Sequence, residues 1–418
     1  MVVTPTNSIA LLTKLVQLDT VGGNELQTAN FLDDYLTAHH IHHQLLEVEP
    51  NRFNVVADIG PDHGPIVVLE GHQDVVALGD LRKWHHLPLG AEQVKHRLYG
   101  RGASDMKSGL AAAIITMIDL AHDPSFTGHV RLLATIGEES SPINHMQGAQ
   151  YFAQHGYMKN VTAMIVAEPS SVPINWLTQS PIKNPLRFSK TVLPALVAAN
   201  HSTEQFVLNF AHKGSITFAV TAKGLSAHSS TPELGINAID ALIAYSQNQR
   251  TFFDSLTAKN PVLGKTVAVT TKFSGGQQLN SVPDEATLYE KVRTIPEVPN
   301  SWILDRLNAL IADQNRNQSA HLTLQVLGDK RPVESDPQDR FIQLLQGIAQ
   351  QELHQTIPTG GSAAGTDASE LTKANPDTTV VVFGPGNMTA HQVDEYVDLD
   401  IFEAFVTIYE RVLTTYFE

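Results

Sequence analysis

Side chains of the kinds that bind divalent metal ions follow several apolar segments of this 418-residue chain. His72 and Asp74 come directly after an apolar stretch at 66–70, and Asp105 lies in a glycine-containing loop before another apolar stretch. Because sites in open α/β sheets form at the carboxyl ends of the strands, we expect these side chains to meet at one edge of a sheet. Further candidates follow later apolar, β-rich segments, and they are Glu138, Glu139, Glu168 and His391.

Five of these residues form a donor set for two metal ions. Two ions about 3.5–4 Å apart need a bridging carboxylate and terminal ligands on each side. Because the chain contains no cysteine, thiolate ligands are excluded, and the imidazoles and carboxylates suit zinc, with cobalt or manganese as substitutes. Such a site lowers the pKa of bound water toward about 7. The predicted ligands are His72, Asp105, Glu139, Glu168 and His391.

Two neighbouring carboxylates have the chemistry for supporting roles. An activated water needs a general base that takes its proton and passes it to the leaving amine, and Glu138, next to the ligand Glu139, suits that role. Asp74 lies two residues after His72 and could orient that imidazole. We therefore predict hydrolytic chemistry with Glu138 as the base and Asp74 as a positioning residue.

The order of helix-type and strand-type segments predicts how these residues are held. The two types alternate along most of the chain, which indicates a mixed α/β sheet covered on both faces. Residues 213–327 follow the order strand, helix, strand, strand, helix, strand, which is typical of a split βαβ module. We predict a catalytic domain formed by 1–212 and 328–418, into which an α+β domain at 213–327 is inserted. The segment 181–204 has no clear period and receives no assignment.

Composition argues against several other classes of protein. The 28 basic and 43 acidic residues give a formal net charge of −15, which argues against binding to nucleic acids or anionic membranes. Without cysteine there are no disulfides. The N-terminal residues do not have the pattern of a secretory signal, and no run approaches the roughly eighteen apolar residues that cross a bilayer. These observations predict a soluble, cytoplasmic protein.

Some patterns suggest other functions. The histidines at 39, 40, 42 and 43 look like a metal cluster, but they lie at a helix-to-strand junction without carboxylates, which is typical of a solvated turn. Ser104 and Lys107 match the Ser-x-x-Lys pattern of serine acylases without its companion motifs. The loop at 100–102 is too short to indicate dinucleotide binding. A metal-stabilised scaffold without catalysis is a further alternative, which the intact Glu138 argues against.

Taken together, the motifs resemble those of the di-zinc peptidases, a family that includes succinyl-diaminopimelate desuccinylase, acetylornithine deacetylase, aminoacylase and carboxypeptidase G. The resemblance runs in order over nearly the whole chain. Ala77 and Lys291 depart from the family pattern, in which proline and aspartate are usual. The matching segments are His72-x-Asp74, Gly-Arg-Gly-x-x-Asp105-Met-Lys, Gly137-Glu138-Glu139, Ala167-Glu168-Pro169 and Pro385-Gly386-x-x-x-x-His391.

The resemblance implies a role for each matching position. Two zinc ions would be bound per chain, with Asp105 as the bridge between them and a cis peptide bond after it. Glu138 would act as general base and acid, and Asp74 would steer His72. Each ion would take one histidine and one glutamate as terminal ligands, His72 with Glu168 and His391 with Glu139.

The resemblance extends to the inserted domain and to a late glycine-rich loop. The segment around His228 is similar to one whose histidine reaches the partner subunit's active site and stabilises the oxyanion, which implies a homodimer formed through the inserted domain. Asn280 and Arg293 match positions that contact substrate carboxylates. Gly365 and Thr366 match the substrate-binding glycine loop.

The implied reaction is hydrolysis of the acyl–nitrogen bond of a small N-acylated amino acid. The segments 367–371 and 384–386 look closest to bacterial succinyl-diaminopimelate desuccinylases, which act on N-succinyl-LL-diaminopimelate in the synthesis of lysine and cell-wall precursors. Acetylornithine deacetylase is the second candidate, and another aminoacylase or a dipeptidase is the third. All three stay open at this point because specificity depends on a few pocket contacts.

Overall fold

The computed structural model divides into two compact units. Unit 1 comprises Met1–Ala211, Glu334–Ser362 and Thr366–Glu418, and unit 2 comprises His212–Val333 with Ala363–Gly365. Most of the unassigned segment 181–204 lies outside the residues that the structure describes. Those residues are 5–140, 145–174, 203–317 and 319–418.

The helices and strands of the described residues alternate in both units. The helices are α1 (Pro5–Gln17), α2 (Leu26–Ala38), α3 (Lys107–His122), α4 (Gln147–Gln154), α5 (Ala238–Asp254), α6 (Asn300–Asn317), α7 (Arg340–Glu352), α8 (Ala368–Ala374) and α9 (Leu399–Phe417). The strands are β1 (His42–Glu49), β2 (Arg52–Ile59), β3 (Ile66–His72), β4 (Glu92–Val94), β5 (Arg97–Tyr99), β6 (His129–Thr135), β7 (Val161–Pro169), β8 (Ser171–Pro173), β9 (Glu204–Phe206), β10 (Leu208–His212), β11 (Gly214–Lys223), β12 (Val267–Gly275), β13 (Glu285–Thr294), β14 (His321–Lys330), β15 (Val333–Glu334), β16 (Thr359–Ser362), β17 (Thr379–Gly384) and β18 (Tyr396–Asp398).

A large mixed sheet forms the centre of unit 1. Its strand order in the described residues is β1-β2-β6-β3-β7-β17-β10-β15, with β16 paired to β10. Strand β3 runs parallel to β6 and β7, and β17 runs parallel to β7, so the carboxyl ends of these four strands meet at one edge. The predicted mixed α/β fold is confirmed. None of the described helices has the length and apolar character needed to span a bilayer.

Helix α3 packs closely behind this edge of the sheet. It is buried along most of its length and contacts β3, β7 and the closing helix α9. A Cβ atom at Gly109 would lie 2.0 Å from the carbonyl oxygen of Ala167, so only glycine allows α3 to approach the end of β7 this closely. The loop before α3 is thereby held near the ends of the parallel strands.

Unit 2 is a four-stranded antiparallel sheet with two helices. Its strand order is β12-β13-β11-β14, and helices α5 and α6 contact its strands. Strand β14 continues to Lys330 because Ser215 of β11 still pairs with Lys330 beyond a bulge, so unit 2 extends past the boundary predicted at 327. The catalytic role predicted for one domain and the dimerisation role predicted for the other remain predictions.

Candidate metal centre

The predicted ligands converge at the carboxyl edge of the parallel strands in unit 1. His72 is the last residue of β3 and is 1% exposed, and Glu168 is the penultimate residue of β7. Glu139 and His391 lie in the loops that follow β6 and β17, and Asp105 lies in the loop before α3. Parallel strand direction thus places ligands far apart in sequence around one point.

Asp105 lies between the two imidazoles. Its Oδ1 atom is 3.2 Å from His72 Nε2, and its Oδ2 atom is 3.2 Å from His391 Nε2. Glu168 Oε1 is 3.6 Å from His72 Nε2, while Glu139 Oε1 contacts His391 Nε2. One carboxylate therefore faces a histidine–glutamate pair on each side, as a bridging ligand between two ions must. The peptide bond between Asp105 and Met106 is cis, as the resemblance implies.

The donor atoms fit divalent cations. Across the described ranges, the groups of three or more His, Asp or Glu whose ligand atoms lie within 4.8 Å of one another all fall at this site. Two of the groups each combine one imidazole with two carboxylates, a donor set that suits transition-metal ions. A third group overlaps them and brings in Glu138. The groups are His72 with Asp105 and Glu168, His391 with Asp105 and Glu139, and His72 with Glu138 and Glu139.

The electrostatics of the site also favour cations. Burial and the charge of Asp105 raise the pKa of Glu168 well above its usual value. Burial and the charge of Glu139 do the same to the pKa of Glu138. Hydrogen bonds to Asp105 and Glu139 raise the pKa of His391 to about 10. These shifts show that negative charge is concentrated here, and bound divalent ions would reverse the local balance.

The carboxylate of Asp74 holds the loop that carries Glu138. Its Oδ1 atom accepts the N–H groups of Gly137 at 3.0 Å and Glu138 at 3.2 Å, and its Oδ2 atom accepts that of Glu139 at 2.8 Å. His72 Nδ1 lies 2.9 Å from the backbone carbonyl oxygen of Asp74 and 3.8 Å from its carboxylate. A proton on Nδ1, donated to that carbonyl, leaves Nε2 free to act as a ligand. The predicted steering of His72 by Asp74 remains a prediction, and its nearest contact is through the backbone.

A buried carboxyl cluster formed by Glu70 and Asp367 was missed by reasoning from the sequence. Thr135 Oγ1 lies 2.6 Å from Asp367 Oδ2 and 3.0 Å from Glu70 Oε1. Burial and the charge of Asp367 raise the pKa of Glu70 well above its usual value, and burial raises the pKa of Asp367 to about 6. The only sequence signal was an acidic residue inside an otherwise apolar strand at position 70.

In unit 2, His228 and Asn280 lie side by side. His228 forms an isolated β-bridge with Ser281, and Ser229 N–H donates to the carbonyl oxygen of Asn280 at 2.9 Å. The Ser230 N–H donates to His228 Nδ1 at 3.1 Å and the Ser230 hydroxyl lies 2.7 Å from the same atom, an arrangement that suits a neutral ring with its proton on Nε2. An exposed Nε2–H of this kind can donate to an oxyanion.

The other predicted substrate contacts lie elsewhere. Arg293 is the penultimate residue of β13, at the opposite end of that strand from the loop that contains Asn280. Thr366 is buried, and its hydroxyl accepts the N–H of Ala368 at 3.3 Å at the start of α8. Gly365 is half-buried and is assigned to unit 2 with its two preceding neighbours.

The serine acylase alternative is not supported by the contacts of its two residues. Ser104 Oγ exchanges hydrogen bonds with the backbone N–H and carbonyl of Asn387, at 2.8 and 2.9 Å. Lys107 Nζ donates to the carbonyl oxygens of Leu15 and Leu18 at 2.8 and 2.7 Å. Each side chain is therefore committed to a different backbone segment. At the histidine-rich junction, His43 lies in β1 and pairs with Asp33 of α2 at 2.9 Å, so the prediction of a junction without carboxylates was wrong.

Comparisons with known proteins find relatives that match nearly the whole chain. The model of Peptidase family M20/M25/M40 matches residues 68–415. A probable succinyl-diaminopimelate desuccinylase of Staphylococcus aureus (strain MSSA476) is 33% identical over 98% of this chain and 97% of its own length. An acetylornithine deacetylase of Vibrio cholerae is 27% identical over 94% of this chain and 92% of its own length. The crystal structure of an M20 family metallo-carboxypeptidase from Sulfolobus solfataricus has a TM-score of 0.74 at 16% identity, and the match covers 98% of this chain and 99% of that one.

Proposed function

Because the chain belongs to peptidase family M20/M25/M40, and is thus a metal-dependent hydrolase, we propose that it removes the succinyl group from N-succinyl-LL-diaminopimelate, for lysine and cell-wall precursor synthesis. The observation that carries the hydrolytic mechanism is the placement of Asp105 between two histidine–glutamate pairs. The choice of substrate is supported by the identity of 33% to a relative named a probable desuccinylase, against 27% to a relative named a deacetylase.

Zinc is the metal we propose, two ions per chain. His72 and Glu168 would hold one ion, His391 and Glu139 the other, and Asp105 would contact both. When bound, the ions would lower the pKa of a water molecule toward about 7 and polarise the acyl carbonyl. Nitrogen and oxygen donors without sulfur fit zinc, and cobalt or manganese would substitute for it.

Glu138 moves the proton in the proposed reaction. The two donor groups that share Asp105 do not include Glu138. Its carboxylate is therefore available to take a proton from the attacking water. The water oxygen bonds to the acyl carbon, the bond to nitrogen breaks, and Glu138 delivers the proton to the leaving amine. The products are succinate and diaminopimelate. Asp74 fixes Glu138 for both transfers because it accepts the N–H groups on either side of that residue.

The residues proposed for oxyanion and carboxylate contacts lie toward opposite ends of β13 in unit 2. Glu285 and Arg293 are eight residues apart on β13, a separation of about 27 Å at the rise of an extended strand. A succinylated diaminopimelate has about the length of four extended residues, on the order of 14 Å. The remaining distance of about 13 Å would have to be covered by the side chains of Arg293 and the His228–Asn280 pair, so we propose that the two contacts come from different units. We infer that His228 and Asn280 serve the active site of a partner subunit in a homodimer.

The edge strand β12 is the surface we assign to that homodimer. Among the residues that the structure describes, it pairs with β13 on one side only, and nearly all of its residues are exposed. Three of its apolar residues are largely exposed: Val267 at 48%, Val269 at 53% and Phe273 at 42%. An edge strand with exposed apolar side chains tends to pair with a strand of another chain. Pairing between two copies of β12 would cover them.

The first experiment measures hydrolysis of N-succinyl-LL-diaminopimelate and N-acetylornithine by zinc-loaded protein, with a chelator-treated control. Chelator-sensitive release of succinate, restored by added zinc, is the expected result. If the protein prefers N-acetylornithine, the proposed substrate is wrong but the proposed metal mechanism stands. Equal activity with and without chelator would contradict the metal mechanism.

A further inference from the structure

We propose that Arg101 and Glu395 are positioning residues that fix Asp105 and His391 in the geometry needed for metal binding. Neither residue belongs to the donor groups. Both are buried, at 3% and 0% side-chain exposure, and Arg101 Nη1 donates to Glu395 Oε2 at 2.5 Å. The inference rests on the proposed metal site but not on the identity of the substrate.

The carboxylate of Glu395 holds the loop that carries Asp105. Its Oε1 atom accepts three backbone N–H groups, from Gly102 at 3.1 Å, Ser104 at 2.9 Å and Asp105 itself at 2.9 Å. Charge-assisted bonds to backbone amides are among the strongest in proteins. The backbone of the bridging ligand is thus fixed by a residue that is 290 positions away in the sequence.

The guanidinium of Arg101 ties the same loop to two others. It donates to the carbonyl oxygen of Gln392 at 3.1 Å and approaches those of Ala77 at 3.3 Å and His391 at 3.5 Å. Position 77 lies in the loop that follows His72, and position 391 is itself a ligand. One planar side chain therefore links the three loops that place His72, Asp105 and His391.

The ligand His391 needs such support more than His72 does. His72 ends a central strand and is 1% exposed, whereas the side chain of His391 is 52% exposed. His391 also has a φ of 65°, in the left-handed region that non-glycine residues rarely occupy. A residue in that conformation stays there only when its surroundings fix it. The Arg101–Glu395 pair supplies fixed contacts directly at that loop.

The test is Arg101→Lys, with Arg131→Lys as the matched control. Lysine keeps the charge opposite Glu395 but loses the planar fork that reaches several carbonyl groups. Arg131 likewise bonds to a carboxylate, Asp58 at 2.9 Å, and to a carbonyl, Tyr157 at 2.6 Å, but it lies near the start of β6, away from the site. The readouts are Co²⁺ affinity, the visible absorption of bound Co²⁺, and kcat and KM.

We expect Arg101→Lys to bind Co²⁺ about 10–100-fold more weakly and to change the Co²⁺ spectrum, as is typical when residues that orient metal ligands are altered. Arg131→Lys should match the wild-type protein in both. Wild-type affinity and spectrum in a folded Arg101→Lys protein would overturn the proposal. Because these readouts need no substrate, a wrong substrate assignment leaves them unchanged.

A second measurement decides the question if Arg101→Lys does not fold. Hydrogen exchange of the metal-free wild-type protein compares peptides spanning 100–106 and 388–395 with the exposed loop 276–281 of unit 2. The proposal requires slow exchange at both loops before metal binds. If both loops exchange as fast as the unit 2 loop, the Arg101–Glu395 pair does not fix the ligands before metal binds, and the proposal is overturned.

Discussion

The two units of this protein place their proposed catalytic residues in opposite ways. In unit 1, residues from five separate segments meet within a few ångströms, and Asp105 contacts histidines that are 33 and 286 positions away from it in the sequence. In unit 2, His228 and Asn280 lie beside one end of β13 while Arg293 lies near the other end. Unit 1 therefore brings all of its proposed metal donors together, whereas unit 2 keeps its proposed substrate contacts apart.

In the proposed homodimer, the sites of the two units depend on assembly to different degrees. The site in unit 1 is formed by parallel strands, two buried carboxylates and α3, all within one chain. In the proposed homodimer, a second chain would bring its His228 and Asn280 to the site of the first. Metal binding should therefore survive dissociation of the proposed homodimer, and turnover should not.

The largest effect should come from Glu138→Gln. Glutamine has nearly the same shape but cannot take the proton of the attacking water, so we expect kcat to fall about 10²–10⁴-fold. Metal content should stay at the wild-type value because two donor groups are complete without Glu138. The measurement is kcat together with metal analysis, with Asp62→Asn at an exposed carboxylate as the control. Turnover near the wild-type rate would remove Glu138 from the mechanism.

The next effect tests the edge of unit 2 through Val269→Lys. A lysine on an exposed edge strand opposes pairing with another strand, so the variant should become monomeric and lose most of its activity. Its metal affinity should be unchanged, because the donor groups lie in unit 1. Sedimentation measures the oligomeric state, an activity assay measures turnover, and metal titration measures the affinity.

The matched control is Thr323→Lys on β14, the strand at the opposite edge of the same sheet. Position 323 is also exposed, but we assign no partner to that edge. A dimeric Val269→Lys protein with wild-type activity would show that β12 is not the interface. Dissociation by Thr323→Lys alone would move the interface to β14.

Mixed dimers test whether His228 acts in its own subunit or in the partner subunit. Two variants that we expect to be inactive, Glu138→Gln and His228→Ala, are mixed under conditions in which subunits exchange. If His228 acts in the partner's site, each heterodimer has one intact site, and an equal mixture should recover about a quarter of wild-type activity. If His228 acts within its own chain, no site is intact and activity stays absent. Mass spectrometry of the mixture confirms that exchange has occurred.

Much of the metal centre could be predicted from the sequence because its ligands follow recognisable strands. His72 and Glu168 end or nearly end buried β segments, and parallel strands bring such ends together. The resemblance to a known family was confirmed by the family match and by full-length relatives, as was the prediction of an enzyme. The role predicted for each residue in catalysis or binding stays a prediction.

The supporting contacts could not be predicted, because they join residues that only the tertiary structure brings together. Asp74 was paired with His72 because the two are neighbours in sequence, yet its carboxylate bonds to a loop 63 to 65 residues away. Glu395 holds a loop about 290 residues away, and nothing near Glu395 in the sequence indicates that contact. Backbone N–H groups have no sequence signature, so their acceptors are visible only in the fold.

The smallest effect concerns two buried histidines, one in each unit, whose pKa values shift in opposite directions. Among carboxylates, the hydrogen bond to Asp105 and the charge of Glu168 outweigh burial and raise the pKa of His72 well above its usual value. In unit 2, burial lowers the pKa of His212 to about 4, and the charges of Arg293 and Arg331 add to this while the hydrogen bond to Lys213 opposes it. Neutral His212 is therefore favoured in the folded protein.

The consequence is a pH-dependent stability that His212→Gln should reduce. An unfolded chain protonates this histidine near pH 6.5, whereas the folded chain does so near pH 4, so stability falls as the pH drops through that window. Between pH 7 and pH 5 the loss is about 2 kcal/mol. We expect the midpoint of thermal unfolding to fall less over that range in His212→Gln than in the wild-type protein. The exposed His63→Gln serves as control, and equal falls in all three proteins would mean that His212 titrates normally.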